Sequence, residues 1–303
     1  MKTKNLVKKC LPVLLFVVVA IGLYFFCNIQ THGFRPYLIL SNLPNDPRWE
    51  VAPLSAAEQE QINQKLNQSF TFLGSGGWCF AFLGEDQTTV LKFYRHSHLA
   101  LNFPFKDVSL EKLRFMSAPW PVGASYAQEL NFVSCSLLYK EVKERTGLLY
   151  VHLNKTEGLH PPVTLFDAIG VKHTIDLDST EFIVQDKVDL ILPHFDLLMK
   201  KGEVDKAKRC VKDTITCFLE LYEKGIWDTD TSLKKNYGFI GDKAVALDLS
   251  SFIFDPSLKN ARDYTQKIRR KTRRLERYLK KHHPILYLHY QECIDQLPTK
   301  ETL

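Results

Sequence analysis

Paired cysteines are missing from this chain. Seven cysteines are scattered through it, at Cys10, Cys27, Cys79, Cys135, Cys210, Cys217 and Cys293, with no CxxC pair and no His/Cys grouping at zinc-like spacing. That pattern excludes zinc-ribbon and zinc-finger modules. A disulfide framework is not expected in a chain this long with thiols so dispersed, and they read as buried or lipid-adjacent free thiols. Internal repeats and low-complexity tracts are also absent, so neither a solenoid nor a fibrous array is in view. No small-x-small site follows the first apolar run, which ends in the bulky FFCNIQ. A cleaved signal peptide is therefore not expected. The formal charge of +6 is unevenly spread: Lys2, Lys4, Lys8 and Lys9 crowd one end, and a basic run spans Lys267 to Lys281. The remainder is near balance, and no aromatic interleaving or groove-reading motif accompanies the basic run, so no nucleic-acid partner is expected.

A long apolar segment is present. Leu11 to Cys27 reads LPVLLFVVVAIGLYFFC, directly behind the four lysines. It sits at the short end of what spans a bilayer, and residues 1–27 read as an uncleaved signal anchor. The positive-inside rule puts the lysines in the cytoplasm and the rest of the chain outside it, as a single-pass membrane protein. Residues 28–54 read as a linker rich in Pro and Asn, with Gly33 near its start. A sheet-rich part is expected over 55–188 and a helical part over 189–303, and 45% hydrophobic content is enough for a substantial core.

Local signals mark the elements. Ser55-Ala-Ala-Glu58 is a capping box that predicts a helix from about Ala56 to Asn67. Strands are predicted over Phe70–Leu73, Trp78–Leu83, Thr89–Tyr94, Val163–Val171 and Phe182–Val188. Val90, Lys92 and Tyr94 share one face of their strand by the two-residue period. Ser125–Glu144, Val204–Lys224 and Leu258–Lys281 carry helical spacing, and Gly225 stops the second of these.

The chemistry lies in two stretches. Gly74-Ser75-Gly76-Gly77 lets backbone N–H groups approach a phosphate, and Lys92 follows on the third strand. Far downstream, GIWDTDTSLKKNYGFIGDKAVALDLSSF places Asp228 and Asp230 before a loop, then Asn236, then a short predicted hairpin ending in Asp248. An Asn and an Asp at adjacent strand ends suit a divalent cation, which takes oxygen ligands. An upstream Asp suits orientation or deprotonation of a hydroxyl. Asp248 closes the apolar run Ala244–Leu247, where a carboxylate is unusual.

In this order the motifs resemble the protein-kinase-like superfamily, from about Phe70 to Gln296. The chain also resembles membrane-anchored kinase-like proteins of chlamydia-type bacteria. The resemblance implies an α+β bilobal fold, with an antiparallel sheet lobe and a helical lobe behind a transmembrane helix, using ATP and Mg2+. It implies that Gly74, Ser75, Gly76, Gly77 and Lys92 bind nucleotide and that Asn236 and Asp248 hold the metal. Lys92 is expected to pair with a helical glutamate, best Glu129, with Glu141 or Glu144 as alternatives. The pattern puts its catalytic Asp five positions before the Asn, where this chain has Thr231, so Asp230 or Asp228 would serve from a shifted loop. Cys79 stands where the third glycine falls, and Leu249-Ser250 replaces the usual Phe-Gly. Three functions stay open: ATP/Mg-dependent phosphoryl transfer to a hydroxyl acceptor of unknown identity, an inactive pseudokinase acting as a tethered scaffold, or a structural envelope protein in which the carboxylates are incidental. The basic helix 267–281 is a solvated face or a contact for anionic lipid.

Overall fold

In the computed structural model the described residues are 2–40, 43–96, 124–230, 232–260 and 264–297, with side chains for all of these except 2–11, 124–129 and 260. Helix α1 (Lys2–Gln30) contains the apolar run, and its Pro12–Gln30 part, with mean hydropathy 2.4, is long and apolar enough by length and composition to cross a membrane. None of that window is buried against the rest of the protein. Helix α2 (Ala56–Leu66) begins at the capping box, with Ser55 N–H donating to Glu58 Oε2 (2.9 Å) and Glu58 N–H donating to Ser55 Oγ (3.3 Å).

A sheet follows: β1 (Ser69–Ser75), β2 (Cys79–Gly84) and β3 (Thr89–Tyr94), then helix α3 (Ala124–Val142), then β4 (Leu148–His152), β5 (Val163–Phe166), β6 (Lys172–Ile175) and β7 (Phe182–Asp186). Among the described residues these seven strands form one sheet in the order β4-β7-β3-β2-β1-β5-β6. All pairings are antiparallel except β1 with β5. The single strand expected over 163–171 is a hairpin. Asp167 accepts from the N–H groups of Ile169 (3.1 Å) and Val171 (2.9 Å), and Gly170 takes a left-handed φ of 82° that reverses the chain.

Strand β3 lies inside the sheet between β7 and β2, and its two faces differ. Leu91 and Phe93 join Phe70, Phe80, Phe82 and Phe182 in one apolar cluster. Tyr94 faces the other way, onto Phe132, Cys135 and Leu138 of α3. That second cluster continues into the helical part without a break, through Phe218, Tyr237 and Leu275.

The second part contains β8 (Asp189–Leu190), α4 (Ile191–Lys200), α5 (Val204–Glu223), β9 (Ile226–Asp228), α6 (Leu233–Asn236), β10 (Tyr237–Ile240), β11 (Lys243–Ala246), β12 (Phe252–Phe254), α7 (Thr265–His282) and α8 (Pro284–Asp295). Gly225 ends α5 with φ 76°. The final basic helix begins later than its spacing suggested, because Pro256–Asn260 forms a separate 3-10 turn. Among the elements not anticipated are the helices α4 and α8, the short helix α6, the strand β4 and the short strands β8, β9 and β12.

The expected linker is not a free spacer. Phe34 is buried among Phe72, Phe80 and Phe82, Leu38 O accepts from His96 N–H (2.7 Å), and Trp49 packs edge-on against Phe132. Its prolines start 3-10 turns at Pro36–Leu38 and Pro47–Trp49 instead of spacing the chain. The segment is a strap across the sheet, since burying its aromatic rings outweighs its polar composition.

Candidate active site

Lys92 projects from β3 toward the helical part. Its Nζ donates to Leu247 O at 2.8 Å, the carbonyl just before Asp248. Burial pulls the Lys92 pKa down, while Cys79 and the Asp248 carboxylate oppose that shift. Beside it, burial pushes the Cys79 thiol up to about 12, so it remains a neutral thiol.

The strands β10 and β11 bring the next two residues together. Tyr237 pairs with Ala246, so the chain ends flanking the hairpin meet. Asn236 O accepts from Leu247 N–H at 2.7 Å and from Asp248 N–H at 3.4 Å. Asn236 is buried, and its Nδ2 donates to Asp230 Oδ2 at 2.7 Å. Asp248 Oδ1 accepts from the N–H (3.1 Å) and Oγ (2.8 Å) of Ser250. Among the described residues, Asn236 Oδ1 and Asp248 Oδ2 carry no hydrogen bond. Two unpaired oxygens on adjacent chain ends are the donor type a hard divalent cation takes.

The two upstream carboxylates differ sharply. Asp228 is 5% exposed and accepts from Tyr237 Oη (2.7 Å), Ser251 Oγ (2.6 Å), Lys271 Nζ (2.5 Å) and Asp230 N–H (2.9 Å). Its oxygens are saturated, so it organises the loop and has no capacity left for a substrate. Asp230 is partly exposed. Burial works against its charge, but hydrogen bonds from Asn236 and from Ser232 N–H, with Lys271 and Arg274 nearby, hold its pKa below the usual carboxylate range. Thr231, at the position the family pattern would give the base, lies outside the described residues.

The glycine hairpin joins β1 to β2, with Gly76 N–H donating to Cys79 O at 2.9 Å. Ser75 Oγ is turned away from the cleft and donates to His32 O at 3.3 Å. A Cβ on Gly74 or Gly77 would meet nothing within 4 Å, and one on Gly76 would only graze Cys79 O at 4.0 Å. None of the three has a positive φ. The fold itself does not require glycine there, and the space above the hairpin is open.

Among the described residues no glutamate bonds Lys92. The Glu129 side chain lies outside the described residues. Glu141 and Glu144 are both exposed, and neither bonds Lys92. What faces the cleft from α3 is Ser134, which sequence reasoning missed. Its Oγ donates to Leu249 O (2.5 Å) and accepts from Phe252 N–H (2.9 Å), tying α3 to the segment just after Asp248. Lys271 was also missed as a buried residue. It shares a helix face with Ile268, Thr272, Leu275 and Leu279, so the signal was a lysine on the apolar stripe.

Two other features stand apart from this constellation. A groove of about 730 Å³, lined in part by Trp49, Leu54, Gln59, Tyr150 and His152, includes none of Lys92, Asn236 or Asp248. Next to it, buried His152, His160 and Asp178 bring their nitrogen and oxygen atoms within 4.8 Å of one another. Those atoms are already engaged: His152 Nδ1 donates to Thr180 O (2.9 Å), His160 Nε2 meets Tyr150 Oη (3.1 Å), and Asp178 accepts from Thr156 Oγ1 (2.5 Å) and Leu159 N–H (3.0 Å). Burial, with His152 adding to it, pulls His160 down to about 4. The cluster is a hydrogen-bonded staple for the 154–160 loop, with the two imidazoles held toward their uncharged form by burial and the Asp178 carboxylate held ionised by its hydrogen bonds.

No protein-family model matches the chain, and no curated protein matches it. Among solved structures it is similar to the bifunctional kinase-methyltransferase WbdD, at 14% identity and a TM-score of 0.33 over 74% of this chain and 44% of that one. A co-crystal structure of WbdD with the kinase inhibitor LY294002 gives 14% identity and a TM-score of 0.34, covering 76% and 46%. The complex of Rv3197 with erythromycin from Mycobacterium tuberculosis gives 12% identity and a TM-score of 0.32, covering 79% and 60%. The chain spans less than half the length of WbdD. At such TM-scores the likeness bears on none of the assignments below.

Proposed function

We propose that the chain is a membrane-anchored, kinase-like protein of bilobal fold that transfers a phosphoryl group from ATP to a hydroxyl acceptor with Mg2+. The observation that carries this reading is the meeting of Lys92, from the third sheet strand, with the Leu247–Asp248 backbone, where Asn236 and Asp248 each keep one oxygen free. A lysine on that strand and an Asn/Asp pair on the metal are the parts a kinase-type site uses. Mg2+, when bound, neutralises charge on the phosphates.

The chain's own residues would do the rest. Asn236 Oδ1 and Asp248 Oδ2 would hold the metal. Lys92 would exchange Leu247 O for a phosphate oxygen, and the open hairpin at Gly74–Gly77 would admit phosphates to backbone N–H groups. Asp230, acidified by its neighbours, would orient the acceptor hydroxyl by accepting its hydrogen bond, and it is too weak a base to remove the proton beforehand. A loose phosphoryl-transfer transition state asks mainly for such positioning and charge stabilisation.

A second reading, an inactive tethered module of the same fold, is favoured by Lys92 being held by a backbone carbonyl and by Cys79 at the third-glycine position. We also propose that the body of the protein lies across the membrane from the N-terminal lysines. Accessibility to an impermeant reagent tests that orientation.

Thermal unfolding of the detergent-solubilised full chain tests nucleotide binding. ATP with Mg2+ is expected to raise Tm, by about 2.7 kcal/mol of stabilisation at a ligand concentration 100 times Kd. Asp248→Ala is expected to abolish the shift. No shift with the unmodified chain at millimolar nucleotide would overturn both readings. A shift without turnover would leave the inactive module standing.

A further inference from the structure

The face of α7 beside Asp230 carries a row of cations. Lys267, Lys271 and Arg274 recur at intervals of four and three, so they lie along one side of the helix. Contacts fix that side against the catalytic loop. Lys267 Nζ lies 5.3 Å from the centre of the Trp227 ring, and Lys271 Nζ donates to Asp228 Oδ2 and to Asp230 O. Arg274, the next step along, is close enough to Asp230 to help hold its carboxylate ionised.

Arg270, Arg273, Arg274 and Arg277 are exposed, and among the described residues none makes a hydrogen bond or an ion pair. Other arginines in the fold are engaged: Arg145 with Glu220 and Asp213, Arg209 with Asp242, Arg269 with Asp295. Lys234 and Lys235, also exposed, sit on α6, which packs against α7. Like charges three or four positions apart on a helix repel by about 0.2–0.5 kcal/mol per pair, and among the described residues no carboxylate forms an ion pair with these four arginines, Asp230 lying near Arg274 without bonding it. A bound anion would.

We infer that the acceptor is itself anionic, a hydroxyl compound carrying a phosphate group that the Arg270–Arg277 face of α7 grips while Asp230 orients its hydroxyl. This rests on the phosphoryl-transfer reading and names its substrate class. Guanidinium groups suit the task because they bind phosphate oxygens in pairs. Arg274, one turn beyond the residue that bonds Asp230 O, sets the phosphate near the hydroxyl to be modified. Two sources share this chemistry: a soluble polyol or sugar phosphate, and a phospholipid headgroup presented by the membrane that α1 would enter.

Arginine-specific labelling of the full chain, read by mass spectrometry, tests the inference without nucleotide. In phosphatidylcholine vesicles, glycerol 3-phosphate is expected to slow labelling of Arg270, Arg273, Arg274 and Arg277, and glycerol is not. Replacing part of the phosphatidylcholine with phosphatidylglycerol is the headgroup arm. Protection by the soluble ester identifies a soluble acceptor, and protection by the lipid alone identifies a headgroup. Arg274→Ala is expected to raise the concentration or lipid fraction giving half-protection of its neighbours about tenfold, with Arg209 labelling unchanged. No protection in either arm, or protection indifferent to Arg274→Ala, overturns the inference. The nucleotide-dependent Tm shift, measured on the same preparations, separates the two failures. A shift without anion protection sinks only the acceptor assignment, and protection without a shift sinks the phosphoryl-transfer reading beneath it.

Discussion

Asp228 and Asp230 stand two positions apart and do opposite work. Asp228 is the buried counter-charge of Lys271 and the acceptor for two hydroxyls and a backbone N–H. Asp230 is partly exposed and bonded to Asn236. Removing Asp228 strands the Lys271 ammonium away from water, so Asp228→Ala is expected to cost about 3–5 kcal/mol of stability. Lys271→Met in the same chain should restore much of it, because the stranded charge is then gone. Asp230→Ala leaves the buried Asn236 amide without this acceptor and is expected to cost less, about 1–3 kcal/mol, and still to abolish phosphoryl transfer. Urea unfolding beside a transfer assay checks all three, and equal destabilisation by the two alanine variants would refute the division of labour. Sequence alone left the two carboxylates as alternatives because local spacing cannot show which one is saturated. The deciding partner is Lys271, 43 residues away from Asp228.

At the level of elements, legibility followed the range of the forces involved. Helix α2 was readable from its capping box, β3 from its run of strand-forming residues after the turn at Gly84–Gln87, and α5 from its apolar stripe and Gly225, all set within a few residues. Strand β4 was not, since four of its five residues are buried and no alternation marks it. Helix α8 was hidden by Pro284, which opens it and reads as a break. The strap over 31–49 was mistaken for a spacer because its anchor residues are few and its partners lie on distant strands. Phe34 is 1% exposed and touches the rings of Phe72, Phe80, Phe82 and His173. Phe34→Ala is expected to cost about 3–5 kcal/mol, read by urea unfolding, and a chain shortened to begin at Ser55 is expected to lose at least as much. A change near zero for Phe34→Ala would mean that the strap is not docked in solution.

Across the whole molecule, the sheet and the helices are joined by a continuous apolar core and by one buried guanidinium. Arg145, just after α3, bonds Glu220 through two nitrogens (2.6 and 2.7 Å) and Asp213 (2.8 Å), while Asp213 also accepts from Ala244 N–H on β11. The Lys92 and Asp248 halves of the site are therefore held in one body, and that body follows α1 through the docked strap. Orientation then becomes a single question for the whole protein. In the orientation proposed above, drawn from the lysines before the apolar run, the body would lie outside the cytoplasm, where the phosphoryl-transfer reading would need a donor supplied in that compartment. The described thiols cannot report the answer. Burial pushes Cys79, Cys210 and Cys217 up to about 12 and Cys135 up to about 11, and Cys293 is buried and raised as well. Cys27 is exposed, but it lies within the candidate span. Lys281, exposed near the end of α7 and making no ion pair among the described residues, is the better reporter position. Lys281→Cys is expected to react with an impermeant maleimide in intact cells as fully as after permeabilisation. Reaction only after permeabilisation would reverse the orientation drawn from the lysines and put the site in the compartment where ATP is plentiful.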